Sequence, residues 1–204
     1  MIDLISGRLR DTRPLLDPDE LASYPGALNI PIDFLPVPPA ELRPAAVLVP
    51  IVDEQEGMSV LLTQRTNQLR NHGGQISFPG GGVESHDVDI TATALRETHE
   101  EIGIPPEQVE VIGYLDPHLT VSGFWVTPVV GLVRSPYQLL PDEREVADVF
   151  DVPLSFVMDP KNHLRRTGNF RGQEVAYYSI PYQGRNIWGA TAAMIINLYQ
   201  KVFF

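Results

Sequence analysis

The most constraining feature of the chain is an acidic segment that follows a run of three glycines. In "FPGGGVESHDVDITATALRETHEEIGI", residues 78–104, good helix formers occupy 92–101, and Gly103 followed by two prolines ends the pattern. Asp87 and Asp89 are the two candidates for the residue that caps the helix N-terminus. The segment therefore predicts one helix that begins shortly after a glycine loop and stops at Gly103.

The predicted helix has two unlike sides. With about 100° of rotation per residue, the side expected to be buried carries Thr91, Leu95, Thr98 and Ile102. The opposite side carries Glu97, Glu100 and Glu101. Like charges three and four residues apart repel one another, and Arg96 offsets only part of that repulsion. A solvated charged face is the ordinary explanation, but the adjoining glycine loop favours a bound cation.

Carboxylates from successive helical turns can hold a hard divalent cation. Mg2+ and Mn2+ prefer oxygen ligands, and a backbone carbonyl of the glycine loop would extend such a set without histidine or cysteine. Other chemistries lack their signatures: there is no Gly-x-x-x-x-Gly-Lys-Ser/Thr phosphate loop, no Gly-x-Ser-x-Gly motif, and His99 is followed four residues later by Gly103 instead of histidine. The sequence therefore disfavours zinc and serine hydrolases.

Short aliphatic and β-branched runs flank the helix on both sides. "AAVLVPIV" and "MSVLLTQR" predict a hairpin that turns at Gly57, and further strands are predicted at "VEVIGYLDP", "FWVTPVVGLV" and a late hairpin, "AYYSIPYQ" with "RNIW". The closing "GATAAMIINLYQKVFF" is apolar nearly all round and predicts a buried helix. Strands before and after one central helix predict an α/β or α+β sandwich.

The start of the chain differs from the rest. Residues 1–43 contain several prolines and little sustained periodicity, which predicts an irregular N-terminal arm with one short helix near "DPDELASY". We expect this arm to pack on a domain that spans residues 44–204. Whether the arm also makes a homodimer contact is a question that the sequence leaves open.

Composition limits the partners of the chain. Its 204 residues include 15 Lys and Arg against 26 Asp and Glu, a formal net charge of −11. This balance disfavours nucleic acid, whereas a small phosphorylated substrate fits, because divalent cations convert an acidic pocket into a phosphate site. With no cysteine, the chain has no disulfides or thiolate ligands. Its apolar runs are too short to span a membrane and its start does not resemble a secretory signal, so we expect a cytoplasmic protein.

The acidic segment resembles the Nudix box, whose usual form is glycine, five residues, glutamate, seven residues, then Arg-Glu-aliphatic-x-Glu-Glu-x-Gly-aliphatic. The matching positions are Gly81, Arg96, Glu97, Glu100, Glu101, Gly103 and Ile104. Asp87 stands where glutamate is usual, eight residues instead of seven separate it from Arg96, and Thr98 occupies the aliphatic position. The resemblance implies a Nudix-type α/β/α sandwich with a mixed β-sheet, here with an N-terminal extension.

A second motif resembles one branch of that family. "LLTQRTNQLRNHGGQISFPGG", residues 61–81, is similar to the signature of the Nudix branch that includes coenzyme A pyrophosphatases, with Thr66 where serine or alanine is usual. The extra residue and the acidic Asp87 also fit this branch, and the likeness extends over roughly residues 45–198. It implies hydrolysis of coenzyme A to 3',5'-ADP and 4'-phosphopantetheine, with Mg2+ or Mn2+.

Two alternatives to this activity stay open. The first is a Nudix hydrolase of ADP-ribose, dinucleotides or oxidised nucleotides, because the box encodes pyrophosphate chemistry and not the leaving group. The second is a non-catalytic nucleotide-binding module, against which the intact acidic positions argue.

The resemblance also implies roles for individual residues. Glu97 and Glu101 are the expected metal ligands, followed by Glu100 and a carbonyl of Gly80 or Gly81. Arg96 is expected to hold a carboxylate in position. The general base is Glu97 or a residue of "LLPDEREVADVF", where Glu145 and Glu143 are the candidates and a charge at a helix start is an equal explanation.

The upstream motif supplies the expected substrate contacts. Arg65 and Arg70 can make bidentate contacts to phosphate, and an ion pair to the glutamate helix is an equally weighted role for each. His72 and Gln75 either contact the substrate or tie the loop to itself. Phe78 is expected in the core and not against a nucleotide base.

Overall fold

The structure, a computed structural model, describes residues 1–17, 20, 34–54, 57–68 and 72–204. Within these residues the helices are α1 Ile2–Leu9, α2 Ile90–Ile102, α3 Leu154–Val157 and α4 Gly189–Phe203, with single 3-10 turns at Pro39–Glu41, Pro106–Gln108 and Pro160–Asn162. The strands are β1 Arg43–Glu54, β2 Gly57–Arg65, β3 Ile76–Ser77, β4 Gly80–Gly82, β5 Val109–Tyr114, β6 His118–Leu119, β7 Phe124–Val133, β8 Val146–Pro153, β9 Leu164–Phe170, β10 Gln173–Tyr182 and β11 Arg185–Trp188. No helix in these ranges is long and apolar enough to cross a membrane.

Eight strands form one mixed sheet. Its main order is β3-β2-β1-β7-β5, with β4 paired to β1, β6 to β7 and β8 to β2. Strands β1 and β7 run parallel, so that Arg43 to Val52 lie beside Phe124 to Val133, while the other pairs are antiparallel. The predicted mixed sheet and the hairpin at Gly57 are confirmed.

A second, three-stranded sheet has the order β11-β10-β9. It contains the predicted late hairpin, in which Tyr182 pairs with Arg185 across the turn. Ile180 and Ile187 on one of its faces are fully buried, and the hydroxyl of Thr191 at the start of α4 donates to the carbonyl of Ile76 at 2.9 Å. The small sheet and α4 are thereby fixed to β3 of the mixed sheet.

The two faces of the mixed sheet are covered by different elements, because successive side chains along a strand point to opposite faces. Ala46 and Leu48 of β1 pack in one cluster with Ala94 of α2. Val49 and Ile51 belong to the cluster on the other face, which also includes buried residues of α1, α4 and the small sheet. The predicted α/β/α layering is confirmed.

Helix α1 was not predicted from the sequence. Its Ile5 and Leu9 are fully buried, and it approaches β5 so closely that a Cβ on Gly113 would lie 2.5 Å from the Cβ of Leu9. Two apolar positions spaced by one turn are too few to produce a clear periodic pattern in eight residues. The short helix predicted near "DPDELASY" falls in a stretch, residues 17–24, that lies almost wholly outside the described residues.

Helix α2 matches the predicted acidic helix. The side chain of Asp89, and not that of Asp87, caps its N-terminus by accepting from Ala92 N at 2.8 Å. Gly103 ends it in the left-handed conformation, with φ 80°. The buried side of α2 differs in detail from the prediction: Thr91 and Leu95 are only partly buried, and the fully covered residues are Thr93, Ala94, Thr98 and Ile102.

Candidate active site

The glycine loop, which contains strand β4, lies between α2 and the start of β1. Because its glycines have no side chains, α2 can approach it closely. Strand β4 pairs with β1 so that Gly81 lies opposite Ala46. A Cβ on Gly81 would stand 2.4 Å from the carboxylate carbon of Glu97, and one on Gly80 would stand 2.3 Å from the carbonyl oxygen of Ala46. Only glycine fits at either position, and the carboxylate of Glu97 therefore lies directly against the loop.

Glu101 lies under the same loop. Its side chain is 4% exposed, and its carboxylate accepts from Gly80 N at 3.3 Å and from Arg65 Nη1 at 3.4 Å. Burial raises the pKa of Glu101 to about 8, although Arg65 opposes this rise. The surroundings thus supply less positive charge than a buried carboxylate needs.

Arg96 and Asp87 form a second arginine–carboxylate pair, in which hydrogen bonds to the carboxylate outweigh the effect of burial on its pKa. Arg96 Nε and Nη2 donate to the two oxygens of Asp87 at 2.9 and 3.0 Å, and Asp87 also accepts from Glu84 N at 2.8 Å and Thr93 Oγ1 at 2.9 Å. The hydrogen bonds from Arg96 hold the pKa of Asp87 far below its usual range, against the effect of burial. This pair is saturated with hydrogen bonds.

Arg96 also links the helix to the loop. Its Nη1 donates to Glu97 at 2.8 Å and to Glu100 at 3.1 Å, and its Nη2 donates to the carbonyl of Gly82 at 3.1 Å. Burial raises the pKa of Glu97, and the Arg96 contact opposes this rise. Arg96 therefore holds the carboxylate of Glu97 in place, as the sequence led us to expect for one carboxylate.

The three glutamates on this side of α2 are covered to different extents. Glu100 has 59% of its side chain exposed, whereas Glu97 has 16% and Glu101 4%. The side of α2 that carries Glu97 and Glu101 packs on the glycine strand β4, which has no side chains to hold the helix away. The two carboxylates four residues apart are thereby covered, and Glu100 alone turns toward solvent.

Glu145 reaches the site from the loop that precedes β8. Its backbone carbonyl accepts from Thr66 N at 2.9 Å, and its half-exposed carboxylate lies 3.9 Å from Arg65 Nη2. The same loop is docked on the end of α2, where Asp142 N donates to the carbonyl of Glu101 at 3.0 Å. Glu143, the other candidate base, is exposed and forms no ion pair within the described part of the site.

The remaining predicted residues lie in the loop between β2 and β3. His72 Nδ1 and Gln75 Oε1 are 3.0 Å apart, so these two side chains contact each other and tie the loop. Arg70 lies outside the described residues. Phe78 is 2% exposed and belongs to the core, as predicted. A substrate contact by His72 or Gln75 remains a prediction.

The donor set fits a hard divalent cation. Glu97 and Glu101 are covered carboxylates whose pKa is raised by burial, and both face a glycine loop rich in backbone oxygens. Nudix hydrolases generally use divalent cations such as Mg2+ or Mn2+. Across the described ranges, no group of three histidine or acidic side chains is close enough to hold an ion by itself. Arg96 Nη1 lies between Glu97 and Glu100 and donates to both carboxylates.

Sequence reasoning missed two supporting side chains. Thr93 donates to Asp87, and Thr66 Oγ1 donates to the carbonyl of Arg144 at 3.2 Å, next to Glu145. The spacing of Thr93 one turn before Arg96 is a signal that could have suggested the first contact. The contact of Thr66 joins residues 78 positions apart, and no local pattern reports it.

Comparison with known proteins agrees with this site. The family model described as NUDIX domain matches residues 42–169, which is more than half of the chain and includes β1 to β8 and most of β9, with the glycine loop and α2. The chain belongs to the Nudix family and is a Nudix hydrolase.

Its relatives include two proteins named Uncharacterized Nudix hydrolase NudL. The one from Enterobacter sp. (strain 638) is 44% identical over 160 residues, which cover 78% of this chain and 83% of the relative. The one from Pectobacterium atrosepticum is 43% identical over 175 residues, covering 86% and 90%. Among solved structures, a MutT/nudix family protein from Enterococcus faecalis gives a TM-score of 0.50 at 18% identity, covering 79% of this chain and 62% of that one, a likeness of fold alone.

Proposed function

We propose that this Nudix hydrolase cleaves the pyrophosphate bond of coenzyme A or its acyl derivatives with Mg2+ or Mn2+, giving 3',5'-ADP and 4'-phosphopantetheine or its acyl form. The observation that carries the chemistry is the covered Glu101 carboxylate, which is left short of positive charge beside Arg65 and the Gly80 amide. The choice of coenzyme A rests on the resemblance of residues 61–81 to the signature of that branch.

Glu97 and Glu101 would hold the cation, with Glu100 and the carbonyl of Gly81 as further ligands. A divalent cation bound there neutralises charge on the pyrophosphate oxygens and lowers the pKa of a bound water. Arg96 keeps Glu97 turned toward the loop through its 2.8 Å hydrogen bond. Glu100 has the freedom to turn inward, because more than half of its side chain is exposed.

Arg65 is placed to bind a substrate phosphate. Its side chain is 25% exposed, and its contacts to Glu101 and Glu145, at 3.4 and 3.9 Å, are longer than a close bidentate pair. A phosphate oxygen would therefore compete well for the guanidinium. Arg70, His72 and Gln75 are proposed to contact the substrate from the loop that follows β2.

Glu145 is the favoured general base. It lies beside Arg65 with an exposed carboxylate, whereas Glu97 is engaged by Arg96. The carboxylate would take a proton from the attacking water as the new oxygen–phosphorus bond forms. The bond between that phosphorus and the bridging oxygen then breaks, and the second phosphate leaves as a monoester. Glu97 is the second candidate for the base and Glu143 the third.

A substrate panel tests this proposal. The purified chain would be assayed with Mg2+ and with Mn2+ on coenzyme A, acyl-coenzyme A, ADP-ribose, NADH and nucleoside triphosphates, with products separated by chromatography. We expect 3',5'-ADP from coenzyme A at the highest kcat/KM. Preference for ADP-ribose or a dinucleotide would replace the substrate, and no turnover of any compound would favour a binding module. Glu101→Gln serves as the inactive reference and Glu107→Gln, an exposed glutamate of a distant turn, as the matched control.

A further inference from the structure

The three-stranded sheet is basic in an otherwise acidic protein. The whole chain has 15 cationic and 26 acidic side chains. Between residues 161 and 188 the only acidic side chain is Glu174, and the cationic ones are Lys161, Arg165, Arg166, Arg171 and Arg185. Positive potential is therefore concentrated on one small sheet.

Three of these arginines have no carboxylate partner among the described residues. Arg185 is paired with Asp148 at 2.5 Å and lies over the ring of Phe150. Arg165, Arg166 and Arg171, by contrast, form no ion pair with any described residue. Carboxylates outnumber cations in this chain, so an arginine such as Arg166 that has no acidic partner among the described residues is available to attract an anion.

Arg166 borders a cleft on the outer face of this sheet. The cleft is open and has a volume of about 470 Å3. Arg166, Tyr177, Ser179 and Asn186 line it from the outer face, and Tyr182 and Arg185 border it at the hairpin turn. No carboxylate lines it in the parts of the chain that the structure describes. The lining thus combines guanidinium, hydroxyl and amide groups with aromatic rings.

Two aromatic rings stand on the same face as Arg166. Tyr177 is the strand partner of Arg166, and its ring lies against Gly168, where an added Cβ would come within 3.2 Å of it. Trp188 is 43% exposed and meets Tyr177 edge to face, with the ring centres 5.8 Å apart. Exposed aromatic side chains beside an arginine on a sheet face are typical of surfaces that stack a nucleobase.

The side-chain amide of Asn186 in the cleft is also oriented so that it can donate to an acceptor atom of a ligand. Ser179, which is 4% exposed, donates its hydroxyl to Asn186 Oδ1 at 2.6 Å. This contact fixes the amide so that Asn186 Nδ2 faces away from Ser179, and Nδ2 has no acceptor among the described residues. A ligand oxygen or ring nitrogen could take that place.

We propose that this cleft binds a nucleoside monophosphate, with the phosphate on Arg166 and the base stacked on Tyr177 beside Trp188. Charge repulsion disfavours two other occupants. A second copy docked symmetrically through this face would bring two basic surfaces together. A long polyanion would meet the acidic remainder of the chain. The cleft is separate from the catalytic carboxylates, which lie on the α2 side of the mixed sheet, whereas the small sheet covers the other side. The inference does not depend on the proposed reaction.

Tryptophan fluorescence tests this proposal. The chain has two tryptophans, and Trp125 is buried, so quenching by a bound base reports mainly on Trp188. AMP, adenosine and inorganic phosphate would each be titrated into the full chain with EDTA present, which keeps divalent cations from the catalytic carboxylates. We expect saturable quenching by AMP, weaker binding of adenosine, and weaker binding of phosphate measured by competition with AMP.

Variants locate the binding. Arg166→Gln should weaken AMP binding about tenfold or more, and Tyr177→Leu by a similar factor. Arg165→Gln removes the same charge from the neighbouring position, whose side chain points to the other face, and should change the affinity less than about twofold. Circular dichroism of each variant checks the fold. Absence of saturable quenching, equal losses in the two arginine variants, or phosphate binding as tightly as AMP would overturn the proposal.

Discussion

Two arginine–carboxylate pairs lie on either side of the glycine loop, and they differ in how completely each carboxylate is satisfied. Arg96 and Asp87 meet through two hydrogen bonds of 2.9 and 3.0 Å. Arg65 and Glu101 meet through one contact of 3.4 Å. The pKa of Asp87 falls far below its usual range, and that of Glu101 rises to about 8. Both carboxylates are almost fully covered, but the main cause of the shift differs: hydrogen bonds from Arg96 lower the pKa of Asp87, whereas burial raises that of Glu101.

The contrast separates a pair whose hydrogen bonds are complete from one that we propose to be functional. Asp87 receives further hydrogen bonds from Glu84 N and Thr93, which leave little need for an additional cation. Among the described residues, Glu101 receives only the Gly80 amide and the more distant Arg65. A buried carboxylate left short of positive charge is costly for folding and is commonly found where a ligand supplies that charge.

The largest effect is expected when the unsatisfied carboxylate is neutralised. Glu101→Gln should lower kcat/KM on order of 10³-fold, about 4 kcal/mol of transition-state stabilisation, because a cation ligand is lost. Thermal unfolding provides a readout besides activity: Mg2+ or Mn2+ should raise the melting temperature of the parent chain and not that of the variant. Equal stabilisation of both proteins by the cation would contradict the role of Glu101.

Breaking the saturated pair should affect stability next most strongly. Asp87→Asn leaves Arg96 partly buried without its charged partner, and the free energy of unfolding should fall by about 3 kcal/mol. Urea denaturation measures this loss, with the exposed Asp53→Asn as the control. A loss no greater than that of the control would show that the pair is not a structural anchor.

A third buried group, His118, has a pKa that burial lowers. Burial lowers the pKa of His118 to about 4 from 6.5, so the folded state binds fewer protons than the unfolded state in this interval. Stability from the neutral ring is present above about pH 6.5 and is lost as the pH falls toward 4. Between pH 7 and pH 5 the loss should be about 2 kcal/mol. His118→Gln should remove this component, and an unchanged difference between the two pH values would refute it.

A smaller effect should follow from displacing Glu145 relative to Arg65. Thr66→Val removes the hydroxyl that donates to the carbonyl of Arg144, and the loop that carries Glu145 should loosen. We expect kcat to fall about tenfold with little change in KM, since a positioned base contributes mainly to the chemical step. Thr66→Ser keeps the hydroxyl and should restore kcat. Similar losses in both variants would point to packing instead of positioning.

The smallest effect on stability is expected at Glu100, the exposed carboxylate that also contacts Arg96. Glu100 contacts Arg96 at 3.1 Å, but its side chain is 59% exposed. Glu100→Gln should therefore change the free energy of unfolding by less than about 0.5 kcal/mol. A loss comparable with that of Asp87→Asn would mean that Glu100 anchors Arg96 as strongly as Asp87 does.

The acidic helix was predictable because its helix formers, its glycine stop and its charged positions are all local signals. The unequal burial of Glu100 and Glu101 was not predictable, because their angles around the helix axis do not show which side of the helix the glycine loop covers. The sequence also could not tell which aspartate caps the helix and which one pairs with Arg96. Asp89 is the cap and Asp87 is the partner, and this depends on the position that the Arg96 side chain reaches. Helix α1 escaped prediction because only two of its residues, Ile5 and Leu9, are fully buried.

The parallel pairing of β1 with β7 has a consequence for how the chain folds. The glycine loop and α2 lie between these two strands in sequence, and Ala46, which faces Gly81, is itself paired with Thr127. A contact between residues about 80 positions apart closes a long loop, which is a slow, entropically costly step. Recovery of activity after dilution from denaturant should therefore follow the same single rate as recovery of the whole sheet, with no early phase in which the carboxylates act alone.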